Sequence, residues 1–462
     1  MGEELRVYGA TLKQIQLYYV FVAASFVYFL YKYRNQKFAL FIIIMFYEGL
    51  AGFFSKDFQN FFRITITLLT LYWLFNLKNL QIKNKDNFLF FSFIIFTLSF
   101  LIIGYINDDG LFIIFSQYSR YFIIFSLFLI FLHFQDNKLF NDYLGSILYD
   151  LLIAQILLSL IKFFIMGTRE SLVGSIASQG GEMATSFPIL GFMFLWVKRN
   201  GILNRKDWLF TLGLIFIGFE SEKRAIWFIL PVFIILMMIY VSRIKIPTKY
   251  IFMTILAVPL IFYLGVRLNW TLNKEHKIWG SFDLDYVIHY AETYSYGSTG
   301  AIKPGEGRIG ADYLLLKKFL KGESINKYLG GYGLRFMYAT NYDEFSKLGL
   351  GIDMKGSATG IFQSFVSNGY IGIFAFLLFG LSLLLKTRDL RLRNVVILLV
   401  GWEYLFYTGS ILREQSLAIL LLYIIIFSNK RINVDSEKIK TETVHYLPNK
   451  YSEFEIIPTS DE

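Results

Sequence analysis

Long apolar runs alternate with short polar gaps along most of the chain. The runs lie near residues 15–31, 38–54, 60–77, 87–105, 111–132, 143–166, 184–197, 208–219, 225–242, 250–266, 361–385, 394–410 and 411–428. An α-helix needs about 20 apolar residues to cross the hydrocarbon core of a bilayer. The pattern therefore predicts an all-α polytopic membrane protein with about 12–13 transmembrane helices.

The composition supports this assignment and narrows the chemistry. Of the 462 residues, 55% are hydrophobic and 17% are charged, against about 25% charged in soluble proteins. The absence of cysteine excludes disulfides, thiolate metal sites and cysteine nucleophiles. The chain also lacks the sequence motifs of nucleotide and zinc sites, and its four histidines are scattered. We therefore expect neither a metal nor a cofactor.

Basic residues concentrate in alternate gaps between the apolar runs. By the positive-inside rule these gaps are cytoplasmic, so the net charge of +10 is a topology signal and does not indicate a nucleic-acid partner. The pattern predicts a multi-pass protein of the cytoplasmic (inner) membrane with a cytoplasmic C-terminus. The basic gaps contain Lys32, Lys78, Lys138, Lys198, Arg243, Lys386 and Lys430.

One outward gap is far longer than an ordinary loop. It predicts four regions: an N-terminal transmembrane bundle over 1–266, a large, partly helical extracytoplasmic (periplasmic) loop over 267–360, C-terminal transmembrane helices over 361–428, and a polar cytoplasmic tail over 429–462.

A charged tip separates two apolar runs at residues 220–224, Glu-Ser-Glu-Lys-Arg. A helical hairpin would place Glu222, Lys223 and Arg224 together at the outer surface, where lysine and arginine can hold a phosphate or diphosphate. The alternative is a solvated turn whose charges only anchor the helices.

Charges inside apolar runs are costly and are therefore candidates for function. Arg120 lies about nine residues into its run, Arg413-Glu414 occupies a short outward turn, and Glu403 lies in an apolar run. An internal ion pair is an equally good explanation for each of them. Asp150 and Lys162 belong to the same class.

The large loop carries two arginines on either side of an amphipathic segment. Arg308 precedes the segment, and Arg335 follows a glycine-rich turn that contains Tyr332. The glycines allow close approach to a ligand, and the arginines can converge on one anion. Tyr332 can stack on a sugar or simply pack at the membrane interface.

Three segments resemble the O-antigen polymerase and ligase superfamily. The tip Phe-Glu-Ser-Glu-Lys-Arg-Ala at 219–225 is similar to its Ser-x-x-Arg hairpin tip. Gly307-Arg308, a helix, and the sequence Asn-Lys-Tyr-Leu-Gly-Gly-Tyr-Gly-Leu-Arg-Phe at 326–336 resemble its loop pattern. Phe-Gln-Ser-Phe-Val-Ser-Asn-Gly-Tyr-Ile-Gly at 362–372 looks like the start of its next span.

The resemblance implies a metal-independent, GT-C-like membrane glycosyltransferase of lipopolysaccharide or capsule synthesis. Its donor would be an undecaprenyl-diphosphate-linked oligosaccharide, transferred onto another lipid-linked repeat unit at the outer face of the membrane. A chain-length regulator, a flippase and membrane lipid are the further candidate partners. The roles implied are catalysis by Arg224, Arg308 and Glu222, and binding of diphosphate or glycan by Lys223, Arg335, Arg120, Arg413 and Tyr332.

One departure from the family pattern favours the polymerase branch. Ligases of the family usually carry a His-Asn pair before the third segment, whereas this chain has Lys-Gly-Ser-Ala-Thr-Gly at 355–360 and no histidine between 290 and 415. The alternatives are an O-antigen ligase and, from another class, a lipid-linked oligosaccharide flippase or transporter. No internal repeat typical of transporters is evident.

Overall fold

The computed structural model describes residues 11–54, 56–76, 86–167, 172–176, 183–221, 224–241, 259–260, 262–269, 272–277, 279–296, 310, 312–313, 316–317, 324–334, 359–387, 389–407 and 411–428. Within these ranges the secondary structure is helical and contains no strand. The all-α prediction is confirmed for this part of the chain.

The N-terminal helices are α1 (Leu12–Lys32), α2 (Lys37–Phe46), α3 (Glu48–Phe54), α4 (Lys56–Phe75), α5 (Asn87–Ile106), α6 (Leu111–His133), α7 (Lys138–Met166), α8 (Met183–Lys198), α9 (Arg205–Glu220) and α10 (Arg224–Ile235), which continues as a π-helix over Leu236–Val241. Then follow α11 (Leu284–Tyr296), α12 (Ile325–Gly330), α13 (Gly360–Leu384), α14 (Leu390–Phe406) and α15 (Gln415–Phe427).

Five of the described helices, α1, α5, α6, α7 and α13, are long and apolar enough to cross a membrane. Shorter apolar helices accompany them, including α2, α8 and α15. Every residue of α15 is buried. A helix that is apolar on all sides belongs in the centre of a bundle, and α15 packs there against α6 and α8. The chain is therefore a helical, membrane-embedded protein.

Aromatic side chains fill the contact between α5, α6 and α13. Phe93 on α5 stacks on Phe125 of α6, with ring centroids 3.6 Å apart, and Phe96 stacks on Phe379 of α13 at 5.0 Å. Such pairs contribute about 0.5–1.5 kcal/mol each beyond the area they bury. These stacked phenylalanine pairs thus hold α5, α6 and α13 in a defined position relative to one another.

One end of the bundle collects basic residues, and we call it the basic end. The start of α7 meets the ends of α6 and α15 there, because Phe140 and Phe131 each pack on Phe427. Three ion pairs join basic residues at helix ends to carboxylates: Lys32 with Asp150 at 2.5 Å, Arg199 with Asp207 at 2.7 Å, and Lys386 with Asp86. Asp150, a candidate for function in the sequence, is thus an ion-pair partner. The opposite end, which carries the α5–α6 turn at 107–110 and the loop residues 324–334 docked on it, is the loop end.

The last helix begins well below the loop end. α6 and α15 run in the same direction, since Phe131 contacts Phe427 and Arg120 contacts Glu414. Arg120 lies nine residues after Leu111, which is about 13 Å along α6 at 1.5 Å per residue. The turn before α15 therefore sits at the depth of Arg120. Arg413 and Glu414, which the sequence places in an outward turn, lie in this turn and are only 22% and 15% exposed.

The apolar run 361–385 is not one straight helix. Gly369 has φ 60° and ψ −163° inside α13, so the helix bends sharply there. Ile361 consequently lines the same cavity as Phe376 and Leu377, although a straight helix would separate residues 361 and 376 by about 22 Å. We call residues 360–368 the first arm and residues 370–384 the second arm of α13. The first arm folds back toward the middle of the bundle.

Candidate functional site

Two arginines and two glutamates gather where α6, α8, α14 and α15 meet, and we call Arg120, Arg413, Glu403 and Glu414 the arginine–glutamate cluster. Arg120 comes from α6 and Glu403 from α14. Arg413 and Glu414 come from the turn that starts α15. All of this lies about 13 Å below the loop end of α6.

Glu414 is shared between the two arginines. Its Oε1 lies 4.0 Å from Nη1 of Arg120 and 3.8 Å from Nε of Arg413. Both separations exceed hydrogen-bond length, so at these atoms the attraction is electrostatic. The three side chains are 15–22% exposed, which leaves little water to screen their charges. A second anion entering between the two guanidinium groups would gain from both.

Glu403 holds the turn in place. It is completely buried, and its carboxylate accepts the backbone N–H of Ile411 at 3.0 and 3.1 Å and the hydroxyl of Ser186 at 3.2 Å. Ile411 is two residues before Arg413, so this carboxylate fixes the position of the arginine. The sequence singles out Glu403, but nothing in its pattern points to Ser186 on α8 as a partner.

Two tyrosines border the cluster. The hydroxyls of Tyr121 on α6 and Tyr404 on α14 share a hydrogen bond, and Tyr121 lies within electrostatic reach of both Arg120 and Arg413. Neither tyrosine stands out in the apolar pattern, because each has further aromatic residues close to it in the chain.

The last turn of α9, just before the charged tip, packs against α8 near Ser186. Gly218 of α9 approaches Pro188 of α8, and Pro188 follows Ser186 by two residues. Phe219 stacks on Trp227 of α10 with ring centroids 4.0 Å apart, which closes the hairpin. α9 ends at Glu220 and α10 begins at Arg224. Glu222, Lys223 and the side chain of Arg224 lie outside the described part of the structure.

The glycine-rich loop turn docks on the bend of α13. The backbone N–H of Tyr332 donates to Val366 O at 2.8 Å, and that of Gly333 donates to Ser367 O at 3.0 Å. Gly331 has φ 65°, and a Cβ there would lie 2.6 Å from the Ser367 carbonyl carbon. Only glycine allows this approach. The second and third segments of the family pattern are therefore in direct contact.

The turn between α5 and α6 clamps the same loop from the other side. Asn107 donates to Gly330 O and accepts from the Lys327 ammonium, both at 3.0 Å, and Asp109 accepts the backbone N–H of Leu334 at 2.7 Å. The Lys327 ammonium also lies 5.1 Å from the centre of the Tyr332 ring. Tyr332 is thus half-buried at the loop end, separate from the arginine–glutamate cluster. Arg308 and Arg335 lie outside the described residues.

Asp312 caps the first arm of α13. Its carboxylate accepts the backbone N–H and the hydroxyl of Thr359, both at 3.0 Å, directly before the helix starts at Gly360. The N–H of Gly360 in turn donates to Tyr407 O, one turn beyond Glu403. These hydrogen bonds hold the start of the first arm close to the cluster.

The donor set of the cluster suits anions better than cations. Guanidinium groups bind phosphate oxygens bidentately, whereas the nearby carboxylates can accept a proton. In the ranges that the structure describes, no three His, Asp or Glu side chains gather as the ligands of a metal ion would. The cluster pairs two guanidinium groups with two carboxylates, so a phosphate-like group would compete with Glu414 for Arg120 and Arg413.

Comparison of the chain with protein families, with curated proteins and with solved structures gives no match.

Proposed function

We propose that this protein is a polysaccharide polymerase that joins lipid-linked repeat units of an O-antigen or a capsule. In this proposal the basic end faces the cytoplasm, the chain crosses the membrane about 12–13 times, and residues 267–360 lie on the outer face. The observation that carries the proposal is the pairing of Arg120 with Arg413 around Glu414 at about 13 Å depth, below the contact between two family-like segments.

The reaction places negative charge where the arginines are. A hydroxyl of one repeat unit attacks the anomeric carbon of another chain, the new glycosidic C–O bond forms, and the bond from that carbon to the diphosphate breaks. The hydroxyl proton goes to a carboxylate, and undecaprenyl diphosphate leaves. Arg120 and Arg413 stabilise the leaving diphosphate, and loss of one such contact commonly costs about 10²–10³ in rate.

Other residues would assist this step from the hairpin tip and the loop. Arg224, Lys223, Arg308 and Arg335 are proposed to add positive charge around the same diphosphate, and Glu222 to accept the proton. Glu414 is a second candidate base because its carboxylate lies beside the two arginines that would bind the diphosphate. Asp312 is a weaker candidate, since both of its oxygens are engaged by Thr359.

The experiment is reconstitution of the purified protein in liposomes with a lipid-linked repeat unit. Polymerisation gives a ladder of lengths, whereas a ligase gives a single transfer to a different acceptor lipid. Arg413→Ala and Arg120→Ala should remove the ladder, and the lysine variants should restore it only partly. Arg205→Ala is the matched control, because Arg205 is an exposed arginine at the start of α9, away from the cluster. Ladders at the wild-type rate in all cluster variants would exclude the proposal.

A transporter of lipid-linked oligosaccharide is the second candidate, and the bend in α13 favours it. Transporters commonly place discontinuous helices at a substrate site near the midplane, with the half-helix N-terminus toward an anionic group. The first arm of α13 starts beside the cluster in this way. Appearance of intact lipid-linked substrate on the opposite side of the liposome membrane, without bond formation, would decide for this function.

A further inference from the structure

An apolar groove of about 160 Å³ lies between the two arms of α13 and α14. It exists because Gly369 folds the first arm back, so that Ile361 faces the second arm across a gap. The groove walls are Ile361, Ser364, Ile373, Phe376, Leu377, Gly401, Tyr404 and Leu405, and the surface they offer is apolar.

The groove opens sideways, toward the lipid that surrounds the bundle. Leu377 and Leu405 at its mouth are 52% and 51% exposed, whereas Phe376 and Tyr404 at its closed end are buried. In a membrane-embedded bundle, exposed leucines of this kind contact acyl or isoprenoid chains. A chain can therefore enter from the bilayer without crossing water.

The closed end of the groove adjoins the arginine–glutamate cluster. Tyr404 forms the wall between them: its ring packs on Phe376 with centroids 4.6 Å apart, and its hydroxyl is hydrogen-bonded to Tyr121, beside the arginines. A single side chain thus separates an apolar slot from two guanidinium groups. This arrangement complements an amphiphile whose apolar chain ends in an anionic group.

We propose that the groove binds an isoprenoid unit of a polyprenyl-phosphate lipid whose chain passes Tyr404 and whose phosphate lies between Arg120 and Arg413. The size is suitable, because an apolar cavity of about 150 Å³ holds a benzene-sized group, comparable with one five-carbon isoprene unit. An anionic phospholipid also joins a phosphate to apolar chains, and competition with phosphatidylglycerol distinguishes the two lipids. This inference rests on the proposed function for the choice of lipid.

Gly401 provides the test. A Cβ built at Gly401 meets no atom within 4 Å, and replacing glycine inside a helix favours the helix. We therefore expect three variants to fold and to occupy an increasing part of the groove volume: Gly401→Ala, Gly401→Leu and Gly401→Trp. Leu398→Trp is the matched control, because Leu398 is on the same helix, is 56% exposed and does not line the groove.

The measurement is binding of undecaprenyl phosphate to the full-length protein in phosphatidylcholine nanodiscs. We expect Gly401→Trp to bind at least about tenfold more weakly because the buried isoprenoid contacts are lost. The Leu398→Trp control should bind like the wild type. Arg413→Ala should weaken binding of undecaprenyl phosphate but not of uncharged undecaprenol.

Three results would overturn the inference: wild-type affinity in Gly401→Trp, an equal loss in Leu398→Trp, or displacement of the probe when phosphatidylglycerol replaces phosphatidylcholine. The last result would mean that the groove takes ordinary anionic phospholipid. The binding assay needs no turnover, so the two proposals can fail separately. If binding behaves as expected but the protein makes no ladder, the polymerase proposal is wrong and the lipid groove is supported. If Gly401→Trp makes normal ladders, the lipid groove is wrong and the polymerase proposal is supported.

Discussion

Removal of the Glu403 carboxylate tests how the arginine–glutamate cluster is held. This side chain is completely buried and accepts the Ile411 N–H at 3.0 Å and the Ser186 hydroxyl at 3.2 Å. Glu403→Ala leaves both donors buried without this acceptor. Hydrogen bonds to charged groups contribute about 1.5–3 kcal/mol each, but removing a buried carboxylate also relieves its desolvation cost.

From these opposing terms we expect Glu403→Ala to lower the free energy of unfolding by about 3 kcal/mol. Glu403→Gln keeps one acceptor oxygen and should cost about 1 kcal/mol, similar to Ser186→Ala, which removes one donor. Unfolding in a denaturing-detergent titration, followed by the fluorescence of the tryptophans, measures the series. We expect the free energy of unfolding of Glu403→Ala to be clearly lower than that of Glu403→Gln or Ser186→Ala.

The same series has a functional arm. Since Glu403 fixes the turn that carries Arg413, we expect Glu403→Ala to reduce ladder formation even at temperatures where the variant is folded. A Glu403→Ala protein as stable as the wild type, or one no less stable than Ser186→Ala, would refute the reasoning about this turn.

Two other features give direct predictions. Gly369→Ala should destabilise the protein by about 1–3 kcal/mol, because a φ of 60° is strained for alanine and a Cβ would lie 2.6 Å from Gly331 N. The control is Gly110→Ala, where a Cβ meets no atom within 4 Å. Equal stability of the two variants in the same detergent titration would contradict the predicted strain at Gly369. The hydrogen bond from Lys274 lowers the pKa of Asp283, so this pair stabilises its loop at pH above the unfolded-state pKa and the contribution is lost as pH falls through the folded-state pKa. The protection of residues 279–296 against hydrogen exchange, measured relative to the intrinsic exchange rate at each pH, should fall at acid pH, and this pH step should be absent in Asp283→Asn.

The apolar runs predicted the helices well where neighbouring helices impose no interruption. The runs 87–105 and 111–132 correspond to α5 and α6 within one or two residues. Hydropathy is sufficient there because the whole length of each run is apolar and no backbone angle is unusual.

The bend of α13 and the depth of α15 were beyond the sequence pattern for physical reasons. A change in the sign of φ at Gly369 leaves hydropathy untouched, so 361–385 predicted one span. Ile411 and Leu412 extended the last apolar run, yet the start of α15 is set by contact with α6, and this brings Glu414 to Arg120. The cluster joins residues about 290 positions apart, which periodicity within a run cannot reveal.

The same limit applies to the candidate site: the sequence can indicate single residues but not the contacts between them. Arg120 and Arg413 were predicted separately, from the cost of charge in a membrane, and the structure brings them together around Glu414. Tyr332 was predicted as a ligand-facing residue and lies on the docked loop turn. Arg224, Glu222, Lys223, Arg308 and Arg335 stay predictions, because their side chains lie outside the described residues.

Polymerase activity is tested most directly by product analysis of the purified wild-type protein, Arg413→Ala and Arg205→Ala, each in liposomes with a polyprenyl-diphosphate-linked repeat unit. We expect a ladder of chain lengths from the wild type and from Arg205→Ala. The rate of ladder formation by Arg413→Ala should be lower by about 10²-fold or more. A single transferred product, intact substrate moved across the membrane, or an undiminished ladder from Arg413→Ala would contradict the proposed function.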